Sequence, residues 1–184
     1  MPSDARRTFV LVDGENLDAT LGGSVLARRP EPEERPRWER LLSYAEELWD
    51  QPATGLFFLN ATAHLPHSFV SALLAIGFRP VPLSGKVTEK VVDLGIQRTL
   101  DVLVTHDADV LLCSHDGDFL PHVQRLVAER KVGVVGFREF MNAGFLTAGV
   151  DVHDLEYDVH AFNVTLPRVR VIALDEFDPE EFLR

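Results

Sequence analysis

Four short apolar runs, Phe9-Val-Leu-Val12, Leu56-Phe-Phe-Leu59, Val110-Leu-Leu-Cys113 and Val132-Gly-Val-Val135, punctuate the chain, and helical periodicity fills much of the space between them. A strand with one face in water alternates apolar and polar residues, whereas a strand buried on both faces does not. These runs therefore read as strands of a parallel sheet covered on both sides. Trp38, Leu41, Leu42, Ala45, Leu48 and Trp49 recur at helical spacing, as do Phe69, Val70, Leu73, Leu74 and Ile76, which stop at Gly77. Val92, Ile96, Leu100, Leu103 and Val104 mark another helix within 88–104, and residues 119–129 one more. Residues 78–83, broken by prolines, suit a short strand near the sheet edge. Pro30, Pro32 and Pro36 make 28–37 a loop. The alternation predicts an α/β fold: a Rossmann-like, doubly wound, mostly parallel sheet flanked by helices, with right-handed crossovers.

A chain of 184 residues suits one domain, here expected over 1–158, followed by a C-terminal extension over 159–184. In that extension Val169 and Val171 alternate with Arg168 and Arg170, which predicts a half-exposed strand. Residues 175–181 form an acidic tip with Phe177 and Phe182 as anchors. The tail from Pro167 is expected to pack on the body or on a second copy, which would make a homodimer. No run approaches the roughly 18 apolar residues of a membrane span, and the N-terminus lacks the apolar region of a signal peptide. Cys113 is the single cysteine, so no internal disulfide can form; it reads as a small buried hydrophobe in a cytoplasmic protein.

Aspartates follow two of the apolar runs. Asp13 comes directly after the first, and Asp116 and Asp118 follow Cys113 after Ser114 and His115. Asp93 lies near the start of the helix leading back to that second run. In doubly wound sheets, ligands bind beyond the carboxyl ends of the strands where strand order reverses. Neighbouring first and Val110 strands would bring all four carboxylates to one edge. Crowded carboxylates repel and raise one another's pKa unless a cation joins them. Mg²⁺ or Mn²⁺, hard ions that favour carboxylate and water oxygens, fit such a set. Each aspartate also has an ordinary reading: Asp13-Gly14 as a turn, Asp93 as a first-turn helix carboxylate, Asp118 as a helix cap. Asp107 and Asp109, at the other end of the Val110 strand, read as turn residues.

Phe9-Val-Leu-Val-Asp-Gly-Glu-Asn16, Lys90-Val-Val-Asp93 and Ser114-His-Asp-Gly-Asp-Phe119 together resemble the NYN domain, of the PIN-like nuclease superfamily. The resemblance spans about Phe9 to Asp154. It implies a PIN-like fold and a metal-dependent (endo)ribonuclease that hydrolyses RNA phosphodiester bonds using Mg²⁺ or Mn²⁺. By motif position, Asp13, Asp93, Asp116 and Asp118 correspond to the metal-binding catalytic carboxylates. Asn16, Lys90 and Ser114 correspond to ligand or substrate contacts. Asn16 also has a reading as a cap of the following helix, and Lys90 is equally explained as a solvated lysine. His115 stands where such proteins often have glycine, and an exposed loop histidine is the expectation.

The net charge of −11 disfavours tight nonspecific nucleic-acid binding, although −6 of it falls from Asp151 onward. Arg28, Arg29, Arg35, Arg37 and Arg40, beside Trp38, are the densest basic group, but glutamates interrupt it and Trp38 shares a face with core residues. The expected partner is single-stranded or structured RNA, with no membrane. The competing reading is a catalytically weak or inactive PIN-like module that binds RNA or protein. A phosphatase with Asp13 as nucleophile fits less well, because Glu15 and Leu17 occupy positions where an aspartate and a threonine belong.

Overall fold

The computed structural model describes residues 6–169 and 171–184. Six strands form one all-parallel sheet: β1 (Arg7–Asp13), β2 (Ala53–Asn60), β3 (Arg79–Leu83), β4 (Ala108–Cys113), β5 (Val132–Gly136) and β6 (Asp151–Asp154). Their spatial order is β3-β2-β1-β4-β5-β6. The expected neighbours are in register: Val12 pairs with Cys113 across β1 and β4, while Asp13 pairs with Phe58 of β2 on the other side. Strand order reverses between β1 and β4, so the ligand-binding crevice of a doubly wound sheet opens at Asp13 and Ser114.

Helices α1 (Gly14–Thr20), α2 (Trp38–Trp49), α3 (His67–Ala75), α4 (Val91–Leu103), α5 (Leu120–Val127) and α6 (Ala143–Thr147) cover the sheet. One face packs α4 and α5 through Ile96, Leu100 and Val123 onto Leu11, Val110 and Leu112. The other packs α1, α2 and α3 through Leu17, Leu41 and Leu73 onto Val10, Val12 and Phe57. Successive β1 and β4 side chains thus feed opposite cores, which is why Phe9 to Val12 and Val110 to Cys113 are apolar without a break. Gly77, at φ +93°, turns the chain after α3 toward β3. Cys113 is fully buried in β4.

One element goes beyond the sequence pattern and two expectations are corrected. The sixth strand, Asp151–Asp154, has no counterpart among the apolar runs because it is a four-residue edge strand. No strand forms at 168–169; the Arg168 side chain is buried there, and Arg170 lies outside the described residues. Asp109 is no turn residue. It is a fully buried member of β4 whose carboxylate accepts from Arg6 at 2.8 and 3.0 Å, from Gln51 Nε2 at 3.0 Å and from the Lys131 amide at 2.8 Å. Burial pushes its pKa up, but Arg6, the Lys131 amide and Gln51 together hold it below the ordinary value.

Beyond β6 the chain crosses the α2 side of the sheet, burying Val159, Ala161 and Leu166 in the same core as Leu41 and Phe137. Arg168 locks this strap. Its guanidinium, 1% exposed, binds Asp154 at 2.6 and 2.8 Å, Glu156 at 3.2 Å and Glu139, and it lies over the rings of Phe137 and Tyr157. Val169, Val171 and Leu174 are then exposed, while Phe177 and Phe182 contact each other.

Candidate active site

Asp13 ends β1 and caps α1, its Oδ1 accepting from the Asn16 amide at 3.3 Å. Its Oδ2 accepts from the Ser114 hydroxyl at 2.9 Å, and Ser114 Oγ in turn accepts from the Asp116 amide at 3.2 Å. Ser114 is completely buried, so its hydroxyl orients Asp13 and the Asp116 turn instead of facing solvent. Asp116 caps the 3₁₀ turn Gly117–Phe119 by accepting from the Asp118 amide at 2.9 Å. The cap role considered for Asp118 therefore belongs to Asp116, and residue 118 is exposed. Asp93 occupies the first turn of α4, half-buried, with Lys90 Nζ 4.0 Å away. Lys90 itself is exposed.

These carboxylates feel one another. Burial raises the Asp13 pKa to about 6, against the pull of Ser114 and the Asn16 amide, and the charges of Asp93 and Glu15 add to the rise. Burial also raises Asp93, helped by Asp116 and Asp118 and opposed by Lys90. Glu15 is raised by burial and by Asp93. Glu15 is thus a fifth member of the acidic set that sequence reasoning missed; its place in Asp13-Gly-Glu-Asn16, one helical step past Asp13, was the available signal. Among the described residues, no three His, Cys, Asp or Glu side chains converge as a ready-made metal cage.

His115 is buried, not an exposed loop residue. Its Nε2 accepts from the Phe137 amide at 2.7 Å, which puts the ring proton on Nδ1. Nδ1 then faces Asn16 Oδ1 at 2.9 Å and Thr20 Oγ1 at 3.2 Å, and the His115 amide donates to the same Asn16 oxygen at 2.8 Å. The ring stacks on Phe137, 10° from parallel. Asn16 is held from behind, and α1 with it. Gly136 makes room for this ring, because a Cβ there would sit 2.6 Å from His115 Nε2 and 3.0 Å from the Met141 terminal carbon. Gly136→Ala should cost about 1–3 kcal/mol through overpacking. Urea unfolding measures this, and combining the change with His115→Ala should recover much of the loss.

Burial lowers the His115 pKa to about 4, which gives a pH test in EDTA. Asp13 binds its proton more tightly folded, at about 6, than at its ordinary 3.8. Its contribution to stability is full below that lower value and is lost as pH rises to about 6. His115 runs the other way: its contribution is full above 6.5 and is lost as pH falls to about 4. Each is worth about 3 kcal/mol. Asp93 and His153 repeat the two trends. The wild type should therefore show little change in stability between pH 4 and 6.5. Asp13→Asn should unmask a fall of about 3 kcal/mol toward pH 4, read from urea midpoints.

The basic group around Trp38 is largely consumed internally. Arg28 pairs with Glu34, Arg35 with Asp18, and Arg40 with the His160 carbonyl and Asn163. Among the described residues, the Arg37 guanidinium has no such partner.

The sheet order and its acidic switch point are those of a Rossmann-like α/β protein of the PIN-like type. Residues 7–156 match the NYN domain, and the chain belongs to that family, a family of PIN-like nucleases. Its fold is similar to the crystal structure of VPA0982, a protein of unknown function from Vibrio parahaemolyticus RIMD 2210633, with a TM-score of 0.65 and 18% identity over 86% of this chain and 98% of that one. No curated protein matches the chain. Among the described residues, no helix is long and apolar enough to cross a membrane.

Proposed function

We propose that the protein is a divalent-metal-dependent ribonuclease that cleaves RNA phosphodiester bonds at the β1/β4 crevice. One contrast carries this reading. Among the described residues three aspartates are almost wholly buried, and two of them, Asp109 and Asp154, are neutralised by the chain's own Arg6 and Arg168 and have lowered pKa values. Asp13 has no ion-pair partner among the described residues and is raised. A buried carboxylate left uncompensated beside Glu15, Asp93 and Asp116 suits a cation supplied from outside the chain.

The donor set is all carboxylate oxygen, which fits Mg²⁺ or Mn²⁺. Asp13, Asp93 and Asp116 would hold the ion directly or through water, with Asp118 and Glu15 at the margin. Bound there, it would supply the positive charge that polarises a phosphoryl oxygen and lowers the pKa of a water. The chain's own groups do the positioning. Ser114 fixes one oxygen of Asp13, Asn16 is braced by His115, and exposed Lys90 is available to a phosphate. Asn16 and Ser114 thus support the carboxylates, which leaves Lys90 as the substrate contact among the three motif residues.

A second reading, a PIN-like module that binds RNA or protein without cleaving it, is favoured by the net charge of −11 and by the internal pairing of Arg28, Arg35 and Arg40. Labelled single-stranded RNA incubated with Mn²⁺ separates the two, comparing the wild type with an Asp13→Asn/Asp116→Asn double variant. Cleavage by the wild type alone is expected. Equal cleavage by both would sink the carboxylate mechanism, and no cleavage of several RNAs by the wild type would favour the binder.

A further inference from the structure

Beside the carboxylates a cleft of about 680 Å³ opens between α1, α3, the start of α2 and the end of β2. The chemistry proposed above makes no use of it. Its wall is aromatic: Trp38 and Phe69 each meet Phe57 edge to face at 5.2 Å between ring centroids. Phe69 remains 36% exposed, so this wall is open to a visitor. An apolar cleft with a few polar groups at its rim is the usual form of a small-ligand site.

The rim supplies those groups. Asn60 ends β2 and lines the cleft; its Oδ1 accepts from the Thr62 amide at 3.0 Å, and its NH₂ has no bond among the described residues. Arg37 lines the cleft with its guanidinium uncommitted among the described residues. Glu15 lines it too, and Glu15 is electrostatically coupled to Asp93 and Asp13. The cleft and the acidic set therefore share a residue and form one continuous surface.

We propose that this cleft receives one unpaired nucleobase of a single-stranded RNA, next to the phosphate that the carboxylates address; this rests on the ribonuclease reading above. The aromatic wall offers ring contacts to any base, Asn60 offers donors to a base edge, and Arg37 offers charge to a neighbouring phosphate. A base inside a duplex is stacked and paired and cannot enter without being extruded. The cleft thus selects single strands. It also compensates for a chain too acidic to hold RNA by charge alone.

The test measures binding without turnover, in EDTA, by anisotropy of an end-labelled, 2′-O-methyl single-stranded RNA hexamer. Its two controls are an abasic ribose-phosphate hexamer and the same hexamer pre-annealed as a duplex. Both controls should bind roughly tenfold more weakly, the weight of one stacked base. Ala72→Phe fills the cleft from an exposed position on α3 and should lower hexamer affinity by the same roughly tenfold factor. Quenching of Trp38 in a Trp49→Phe background should follow the same order.

Equal binding of the base-bearing and abasic hexamers, or an Ala72→Phe protein that binds normally, overturns the proposal. So does a wild-type dimer that Ala72→Phe converts to monomer, since the cleft would then be covered by a second copy of the chain. Wild-type cleavage of unmodified RNA with Mn²⁺, measured beside this binding, keeps the two readings apart. Base-dependent binding without any cleavage by the wild type removes the nuclease and leaves the cleft, whereas cleavage with base-independent binding removes the cleft alone.

Discussion

Asp13→Asn should reduce metal-dependent RNA cleavage by at least about a hundredfold, the rate equivalent of roughly 3 kcal/mol of charge stabilisation, while leaving the protein as stable as before or more so. The two effects have one origin. Asparagine nearly matches aspartate in shape, so its oxygen still accepts from Ser114, while its NH₂ cannot accept the long 3.3 Å bond from the Asn16 amide, which is lost. Against that loss, of about 1 kcal/mol, stands the removal of a buried charge whose pKa is raised to about 6. At pH 7.5 in EDTA the variant should therefore melt at or above the wild-type temperature. Adding Mn²⁺ should raise the wild-type melting temperature and leave the variant's unchanged. A variant that melts well below the wild type in EDTA would show that the carboxylate is structural, contrary to the role proposed for it.

Arg168→Ala should have the opposite character, a large loss of stability. Removing the guanidinium strands Asp154, which is 1% exposed, together with Glu139 and Glu156. Breaking one partner of a buried ion pair costs about 3–5 kcal/mol. Although burial works to raise the Asp154 pKa, Arg168 and the backbone amides of Tyr157 and Arg138 hold it below its ordinary value. The wild type therefore carries this stabilisation at neutral pH and loses it only under acid, below the ordinary carboxylate range. The variant's deficit should be greatest at pH 7 and shrink toward pH 4 as the stranded carboxylates take up protons. Urea midpoints across that range test this; a deficit under about 1 kcal/mol at pH 7 would be no more than a surface pair is worth.

The central strands were legible because burial on both faces leaves a mark in the residues themselves. Phe9 to Val12 and Val110 to Cys113 carry no polar residue, and their apolar runs end at the crevice. The β1/β4 adjacency that joins Asp13 and Asp116 at one edge was only a condition borrowed from the topology of doubly wound sheets, and the strand order supplies it. What escaped depends on partners distant in sequence. Asp109 looks like a turn aspartate until Arg6, 103 positions away, is brought against it. Arg168 sits between valines as a strand residue would, yet its orientation is set by Glu139, Asp154 and Glu156. β6 is short and holds Asp151, His153 and Asp154, so no apolar run announces it. Glu15 stood in plain view two residues after Asp13, but its weight comes from the charge of Asp93, which only the folded chain brings to bear on it.

The close fit of His115 against Gly136 bears on how this protein and its relatives can diverge. The imidazole occupies the volume that any side chain at 136 would need, so neither position is free to change alone. Lineages with glycine at position 115 would be released from that restriction and could carry a side chain at 136, but they would have to anchor Asn16 by other means. The two positions should therefore covary: histidine with glycine in one branch, a small residue with a larger one in another. The identity of this pair would then serve as an inherited marker, separating branches by how they brace the first helix behind the acidic residues.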